Sequence, residues 1–255
     1  GDFSVATGRS VEEIKYIAEG NDMDVTHMIG FNGAVVTRQD KVLFEKHIPT
    51  KDSFFCEMEQ YAKEYYVPII SPESLRFLET ILLLHKPKKI LEIGTAIGYS
   101  ALNFCRILKG DCTVTTYERN QKRYDTAKAF ITRSEYSNNI DVVYSDATEG
   151  IDLGDTIYDM AFIDAGKSQY QFFFDQIYPH IKKGGILVSD NVLFRGEVCQ
   201  KSELDVTKRN RTIYRRMNNY LSFLMTENNR FHTSLIPIGD GMAVTIKMED
   251  EMTLR

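Results

Sequence analysis

Acidic residues follow five strand-like segments of this sequence, each at or just past the end of an apolar run. They are Glu92, Glu118, Asp146, Asp164 and Asp190, and the last is followed directly by Asn191. A single carboxylate in such a place is often only the cap of a following helix, and for Asp146 this simpler explanation is favoured. The carboxyl ends of parallel strands meet at one edge of a sheet, so five carboxylates in register predict a ligand-binding crevice there.

Three of these polar residues form a candidate metal site. Asp164, Asp190 and Asn191 offer two carboxylates and an amide oxygen. An all-oxygen set with so few protein ligands suits a hard divalent cation that keeps waters and a chelating substrate. We therefore predict Mg²⁺ at this position, with Mn²⁺ or Ca²⁺ as alternatives.

The remaining carboxylates suggest a nucleoside site. Glu118 lies 26 residues beyond Glu92, where nucleotide-binding α/β proteins place a carboxylate that binds both ribose hydroxyls. Asp146 and Ala147 are placed to meet an adenine edge. Together these residues predict a cofactor that carries an adenosine group.

A glycine-punctuated turn follows the first strand, within the stretch ILEIGTAIGYS at residues 90–100. Gly94 and Gly98 allow a sharp turn and a close approach of a ligand to the backbone. The G-x-x-x-G spacing differs from the G-x-G-x-x-G of dinucleotide folds, which weakens the case for a pyrophosphate cofactor. Taken alone, the turn is also explained by a tight strand-to-helix connection.

The elements that must position these residues alternate between strand and helix. Strands are predicted at 90–93, 113–117, 140–144, 159–163, 185–189, 231–237 and 242–247. Helices are predicted at 54–65, 73–84, 99–108, 121–133, 168–180 and 206–227. This alternation predicts an α/β fold with a Rossmann-like, doubly wound, mostly parallel seven-stranded sheet whose last strand is antiparallel.

Residues 1–48 differ from the rest and predict a small α/β fragment. A capping box at Ser10–Glu13 predicts a helix over 11–18, and strands are predicted around an Asn32-Gly33 turn and at 41–46. The segments Ala6-Thr7-Gly8-Arg9 and Gly30-Phe31-Asn32-Gly33-Ala34 resemble an internal part of haloacid-dehalogenase-like hydrolases. That family's D-x-D-x-T nucleophile motif, its later lysine and its acidic metal motif are absent. We therefore expect an inert fragment, from a gene fusion or a mis-set start.

Length and composition fit one large α/β domain plus this fragment. The chain has 255 residues, 43% of them hydrophobic and 26% charged, with a formal net charge of −5. The acidic balance argues against bulk, non-specific affinity for nucleic acid. No apolar run approaches the ~20 residues that span a bilayer. The four scattered cysteines are expected to be reduced core thiols, which indicates a cytoplasmic protein without a membrane partner.

The larger part is predicted to be a domain over residues 53–250. From about residue 53 to 248 it resembles the cation-dependent O-methyltransferases of the catechol and caffeoyl-CoA type, which use S-adenosylmethionine. The matching segments are Leu91–Gly94, Gly98–Ser100, Tyr117-Glu118, Phe162–Ala165, Lys167, Tyr170, Lys183–Gly185, Asp190–Leu193 and Ile238–Gly241. The stretches 164–170 and 190–196 are most similar to the bacterial branch that methylates 5-hydroxyuridine at the tRNA wobble position. Gly166 departs from that branch, where alanine is usual.

The resemblance implies roles for individual residues. S-adenosylmethionine would contact Ile70, Glu92, Gly94, Thr95, Tyr99, Ser100, Glu118, Asp146, Ala147, Asp164 and Tyr170. Asp164, Asp190 and Asn191 would hold the metal, and Asp164 and Lys167 would be catalytic, with Lys167 as the base or as a neighbour of the oxyanion. Simpler explanations exist for Lys167, as a solvated helix lysine, and for Tyr170, as a core aromatic.

The acceptor is either the tRNA anticodon loop or a small phenol. The run Lys201–Arg216 holds six basic residues against two acidic ones, which favours tRNA, although most such runs are solvated helix faces. The predicted tRNA contacts are Arg195, Lys208, Arg209, Arg211 and Arg215. A caffeoyl-CoA-like small-molecule enzyme is the alternative, and a non-catalytic module that binds S-adenosylmethionine is a second one. We expect a homodimer.

Overall fold

The computed structural model describes residues 3–6, 25–30, 35–38, 41–42, 52–200, 202–226 and 229–249. Four short strands of the N-terminal part form a sheet in the order β1-β2-β3-β4, with β1 and β2 parallel and the other pairs antiparallel. Their bounds are Phe3–Ala6, Val25–Gly30, Val35–Arg38 and Lys41–Val42. The predicted helix over 11–18, the Asn32-Gly33 turn and the end of the strand predicted at 41–46 lie outside the described residues.

The larger part is built on a seven-stranded sheet in the order β10-β11-β9-β8-β5-β6-β7. Its strands are β5 (Lys89–Ile93), β6 (Thr113–Glu118), β7 (Ile140–Tyr144), β8 (Tyr158–Ile163), β9 (Ile181–Asp190), β10 (Phe231–Ile236) and β11 (Met242–Lys247). Strands β5 to β9 pair in parallel, whereas β11 is antiparallel to both β9 and β10. The predicted mostly parallel sheet with an antiparallel last strand is confirmed.

Six α-helices accompany this sheet in the described residues. They are α1 (Ser53–Glu64), α2 (Pro72–His85), α3 (Tyr99–Ile107), α4 (Gln121–Arg133), α5 (Tyr170–Ile177) and α6 (Arg211–Met225). Local sequence fixes several starts, because Asp52, Ser71 and Asn120 each accept a backbone N–H of the helix that follows. None of the described helices combines the length and the apolar character that crossing a membrane requires.

The helices cover both faces of the sheet. Helices α1 to α4 pack on one face, in a cluster with the strand residues Ile90, Val114, Phe162 and Val188. Helices α5 and α6 pack on the other face, with Leu91, Ile163 and Leu187. Neighbouring residues Ile90 and Leu91 thus serve opposite layers, as the two-residue period of a strand requires.

Three predicted elements needed correction. The helix predicted at 168–180 consists of α5 flanked by single 3₁₀ turns at Lys167–Gln169 and Tyr178–His180. Strand β9 begins four residues earlier than predicted, because Ile181 pairs with Tyr158 across an irregularity in the ladder. The helix predicted at 206–227 begins at Arg211, and a separate 3₁₀ turn occupies 203–205, where the side chain of Ser202 caps it.

The prediction for the cysteines is half right. Cys105 and Cys112 are buried thiols with their sulfur atoms 3.8 Å apart. Cys56 and Cys199 are exposed, so the expectation that all four lie in the core was wrong. None of the four takes part in a disulfide.

Candidate active site

The turn after β5 is closed against two neighbouring strands. Gly94 has a φ of +110°, and a Cβ there would lie 2.1 Å from the backbone oxygen of Asp164. The amides of Gly94 and Thr95 both donate to the carbonyl of Tyr117, at 3.1 and 3.2 Å. Only glycine fits at position 94, so this residue brings the ends of β5, β6 and β8 close together.

Glu118, at the end of β6, bridges this turn to the next loop. One carboxylate oxygen accepts the Ala96 amide at 2.9 Å, and the other accepts the Asn120 amide at 2.8 Å. Each oxygen keeps a second lone pair, so the side chain is still able to accept hydrogen bonds from ligand hydroxyls. This position fits the predicted ribose contact.

Glu92 lies below the turn and is fully buried. Its carboxylate accepts hydrogen bonds from the hydroxyls of Ser100 and Thr116, each at 2.5 Å. Burial, with smaller contributions from the charges of Asp164 and Glu118, nevertheless raises the pKa of Glu92 to about 7. Glu92 therefore ties the first turn of α3 to β6 and lies beneath the crevice floor.

Several predicted cofactor residues point into the protein. The Thr95 hydroxyl hydrogen-bonds that of Thr116 at 2.7 Å, and the Tyr99 hydroxyl donates to Glu59 of α1. The side chain of Ser100 is engaged by Glu92, and Ile70 is buried in the core. At these positions the groups left for a ligand are mainly those of the backbone.

Asp146 caps the 3₁₀ turn Ala147–Glu149, in agreement with the simpler explanation given above. One carboxylate oxygen accepts from both the amide and the hydroxyl of Thr148, at 2.9 and 2.7 Å, and the other lies 3.3 Å from Arg119. The hydrogen bonds from Thr148 hold the pKa of Asp146 below its usual value. Ala147 is buried beside it. An adenine contact at this pair stays a prediction.

The three predicted metal ligands lie together at the ends of β8 and β9. The Asn191 side-chain nitrogen donates to an oxygen of Asp164 at 3.1 Å, and the Asn191 amide donates to Asp190 at 2.8 Å. The Asn191 side chain thus directs its nitrogen, and not its oxygen, towards Asp164. Rotation of the side-chain amide group by 180° would exchange these two atoms. No group of three or more His, Cys, Asp or Glu that could hold a metal occurs in the described part of the chain.

The charges of this cluster are poorly balanced. Burial raises the pKa of Asp190 to about 8, and the negative charge of Asp164 adds to the effect. Burial also raises the pKa of Asp164, while the positive charge of Lys167 opposes both shifts. Two buried carboxyl groups with raised pKa values and an amide beside one lysine fit a site that a divalent cation completes.

Lys167 and Tyr170 flank this cluster differently. Lys167 is half-buried at the start of its 3₁₀ turn, within electrostatic reach of Asp164, Asp190 and Asp240. Tyr170 is buried, and its hydroxyl donates to the backbone carbonyl of Asp190 at 2.8 Å. Tyr170 is thus a core aromatic that supports the end of β9, whereas Lys167 faces the charged cluster.

Asp240 is a site residue that the sequence reasoning missed. It lies in the loop between β10 and β11, and its carboxylate accepts the Arg195 amide at 2.5 Å. Burial raises its pKa, although this amide and Lys167 oppose the shift. The order of the strands would have indicated this position, because β11 pairs with β9 and places Met242 opposite Asp190.

The predicted tRNA contacts differ in their surroundings. Lys208 and Arg209 are exposed in the turn before α6, and Arg195 is exposed in the loop after Asn191. Arg211 donates to the Val206 carbonyl at 3.3 Å, and Arg215 lies 3.7 Å from Glu203. Part of the predicted tRNA surface is therefore engaged within the protein.

The sheet order, the glycine turn and the carboxylate at the end of β6 define a Rossmann-like methyltransferase. The family model for O-methyltransferases matches residues 52–248, and the chain belongs to this family. It is an S-adenosylmethionine-dependent O-methyltransferase. A model for haloacid dehalogenase-like hydrolases matches residues 1–80.

Three relatives illustrate the similarity. A caffeoyl-CoA O-methyltransferase from Populus kitakamiensis is 30% identical over 174 residues, which cover 66% of this chain and 74% of that protein. A solved structure from Staphylococcus aureus, ascribed to the caffeoyl-CoA O-methyltransferases, is 31% identical with a TM-score of 0.73, covering 80% of this chain and 97% of that one. The Bacillus cereus O-methyltransferase in complex with SAH shares the fold, at 24% identity and a TM-score of 0.69, covering 80% and 94% of the two chains.

Proposed function

We propose that this enzyme methylates a hydroxyl of a small phenolic acceptor that carries a second oxygen on the neighbouring carbon. The observation that carries this proposal is the cluster of Asp164, Asp190 and Asn191 beside the glycine turn. The caffeoyl-CoA O-methyltransferases among the relatives support a small acceptor over tRNA. The tRNA acceptor, favoured by the sequence reasoning, becomes the second candidate.

The acceptor side depends on the charged cluster. A divalent cation bound there would supply a positive charge that lowers the pKa of the acceptor hydroxyl. Asp164, Asp190 and Asn191 would hold this cation, and the hydroxyl of Tyr170 fixes the Asp190 carbonyl from behind. Lys167 is placed to take the acceptor proton or to stabilise the oxyanion, because its charge already acts on both carboxylates.

The donor side depends on the turn and on Glu118. S-adenosylmethionine supplies an electrophilic methyl group when it is bound. Glu118 is placed to accept the ribose hydroxyls, and the backbone of the 94–98 turn is placed to carry the rest of the cofactor. Since Gly94 touches the Asp164 backbone, the two sides are held in fixed register, which favours in-line transfer.

The test uses isomeric acceptors with labelled S-adenosylmethionine and Mg²⁺. Catechol has two neighbouring hydroxyls and resorcinol has the same two hydroxyls one carbon further apart. We expect label to enter catechol at a rate at least about tenfold above resorcinol, because only catechol is able to chelate one cation with both oxygens. Equal rates for the two isomers would contradict the proposal.

A tRNA acceptor is favoured by the exposure of Arg195 and of Lys208 and Arg209 in the basic run. Undermodified tRNA belongs in the same assay. If tRNA is the acceptor, the double variant Lys208→Glu, Arg209→Glu raises its KM and flattens its salt dependence, while catechol methylation stays unchanged. Reversal at Arg211 and Arg215 is a weaker probe, because both side chains already have partners in the protein.

We also propose that residues 1–48 contribute no catalytic group and that the transferase domain spans residues 53–250. Deletion of residues 1–48 should leave kcat and KM for both substrates within about twofold of the full chain. A folded but inactive truncation would show that the segment has been recruited to the site. A homodimer in the cytoplasm is part of this proposal, and light scattering with cell fractionation tests it.

A further inference from the structure

The loop after β9 has an unusual backbone. Among the described residues, seven that are not glycine have positive φ, and three of them lie between positions 191 and 195. They are Asn191 at 57°, Phe194 at 48° and Arg195 at 56°. Such conformations are uncommon for residues with a side chain and persist only where surrounding contacts enforce them.

Besides the hydrogen bonds of Asn191 to Asp190 and Asp164, three further contacts come from the loop between β10 and β11. The Val192 amide donates to the Gly241 carbonyl at 3.0 Å, and the Leu193 amide donates to the Asp240 carbonyl at 2.9 Å. The Arg195 amide donates to the Asp240 side chain at 2.5 Å. Of these three bonds only the last uses a side chain, so it is the one that a substitution is able to remove.

The same turn packs between the 191–196 segment and the start of α2. A Cβ on Gly241 would lie 2.3 Å from Cγ of Leu193, so the turn touches the 191–196 segment without a gap. On its other side a Cβ on Gly239 would lie 2.4 Å from the hydroxyl oxygen of Ser74, near the start of α2. The turn therefore cannot retreat from the loop without disturbing α2, and it forms a rigid support.

We propose that Asp240 is a positioning residue, whose side-chain oxygen clamps the 191–196 segment and so holds Asn191 in the geometry that acceptor binding needs. The clamp acts through an accepted hydrogen bond and not through the charge of Asp240. An asparagine retains such an oxygen, whereas alanine does not. The consequence for acceptor binding rests on the proposed function, but the clamp itself does not.

The test compares Asp240→Ala with Asp240→Asn in the full chain by amide hydrogen exchange of peptides covering 191–196. We expect exchange at least tenfold faster in Asp240→Ala and within threefold of the unmodified protein in Asp240→Asn. Asp52→Ala is the matched control, because it also removes an aspartate that accepts one backbone amide, that of Phe54, at the start of α1. It should leave exchange in 191–196 unchanged. Gly241→Ala is the second variant if Asp240→Ala does not fold, and its clash with Leu193 should speed exchange in the same peptides.

Kinetics with catechol extend the test to function. Asp240→Ala should raise the KM for catechol at least tenfold while the Kd for S-adenosylhomocysteine stays within threefold, and Asp240→Asn should restore the KM. Unchanged exchange in Asp240→Ala, or equal acceleration in Asp240→Asn, would overturn the clamp. If the unmodified protein does not methylate catechol, the proposed function fails, while hydrogen exchange still decides on the clamp.

Discussion

The proposed crevice has a cofactor half, formed by the 94–98 turn and Glu118, and an acceptor half, formed by Asp164, Asp190 and Asn191. The two halves differ in how their polar groups are stabilised. On the cofactor half, the 94–98 turn and Glu118 are held by hydrogen bonds between well-matched groups, such as that from Ala96 to Glu118. On the acceptor half, Asp164 and Asp190 both have raised pKa values, and the negative charge of Asp164 contributes to the shift at Asp190. We therefore propose that the cofactor half is organised by the chain itself, whereas a divalent cation completes the acceptor half.

The largest effect should come from the acceptor half. Asp190→Asn keeps an oxygen for the Asn191 amide but removes one carboxylate of the cation site. We expect kcat to fall about 10³-fold, roughly 4 kcal/mol in the barrier, because cation binding and oxyanion formation are lost together. Methyl transfer to catechol measures this.

Its matched control is Asp111→Asn, at the amino end of β6 and thus at the far edge of the sheet, paired there with Lys88. This control should retain full turnover. Calorimetry should find the affinity of Asp190→Asn for S-adenosylhomocysteine within about threefold of the unmodified protein, since the two halves bind separately. A parallel loss of cofactor affinity would mean that the halves are not separable.

Gly94→Ala should damage both halves at once, because its Cβ would overlap the Asp164 backbone oxygen and its φ of +110° strains any residue with a side chain. We expect a loss of about 2–4 kcal/mol in the free energy of unfolding, measured by denaturant titration. Gly150→Ala is the control, since that glycine has a similar φ of +121° but nothing lies within 4 Å of an added Cβ. Equal losses in the two variants would attribute the effect to φ alone and not to the contact between halves.

The sequence predicted the fold and the location of the site better than the direction of its side chains. Helix 121–133 and strand 140–144 have the predicted bounds because a cap and a clear apolar pattern mark them. The inward direction of Thr95 and Tyr99 depends on turn angles such as the φ of 49° at Ala96, which composition does not encode. Asp240 was missed because only the pairing of β11 with β9 brings it to the cluster.

Glu118→Ala should weaken the cofactor half alone. The variant loses the predicted ribose contact and leaves the Ala96 and Asn120 amides without their carboxylate acceptor. We expect cofactor binding to weaken by about 1.5–3 kcal/mol by calorimetry, the usual cost of losing hydrogen bonds to a charged group. The cofactor affinity of Glu118→Gln, which keeps one acceptor oxygen, should lie between those of Glu118→Ala and the unmodified protein. Unchanged affinity in the alanine variant would remove Glu118 from the cofactor site.

Glu92 gives the cofactor half a pH dependence. Its pKa is about 7 in the folded protein, above the usual 4.5, so the folded state binds the proton more tightly than the unfolded state. The stabilisation this provides is complete below pH ~4.5 and is lost as the pH rises through about 7, by roughly 2 kcal/mol between pH 5 and 7. Glu92→Gln cannot ionise and should lack this loss. Thermal unfolding measures the stability of both proteins as a function of pH. The same pH dependence in the two proteins would contradict the assignment.

If a divalent cation completes the acceptor half, as we propose, removal of the cation abolishes methyl transfer but not cofactor binding. Transfer of labelled methyl to catechol should fall to background in excess EDTA and return when Mg²⁺ is restored. Calorimetry in the same EDTA buffer should still detect S-adenosylhomocysteine binding, because the cofactor half is organised by the chain. Full turnover in excess EDTA would contradict the account and assign Asp164, Asp190 and Asn191 a purely structural role.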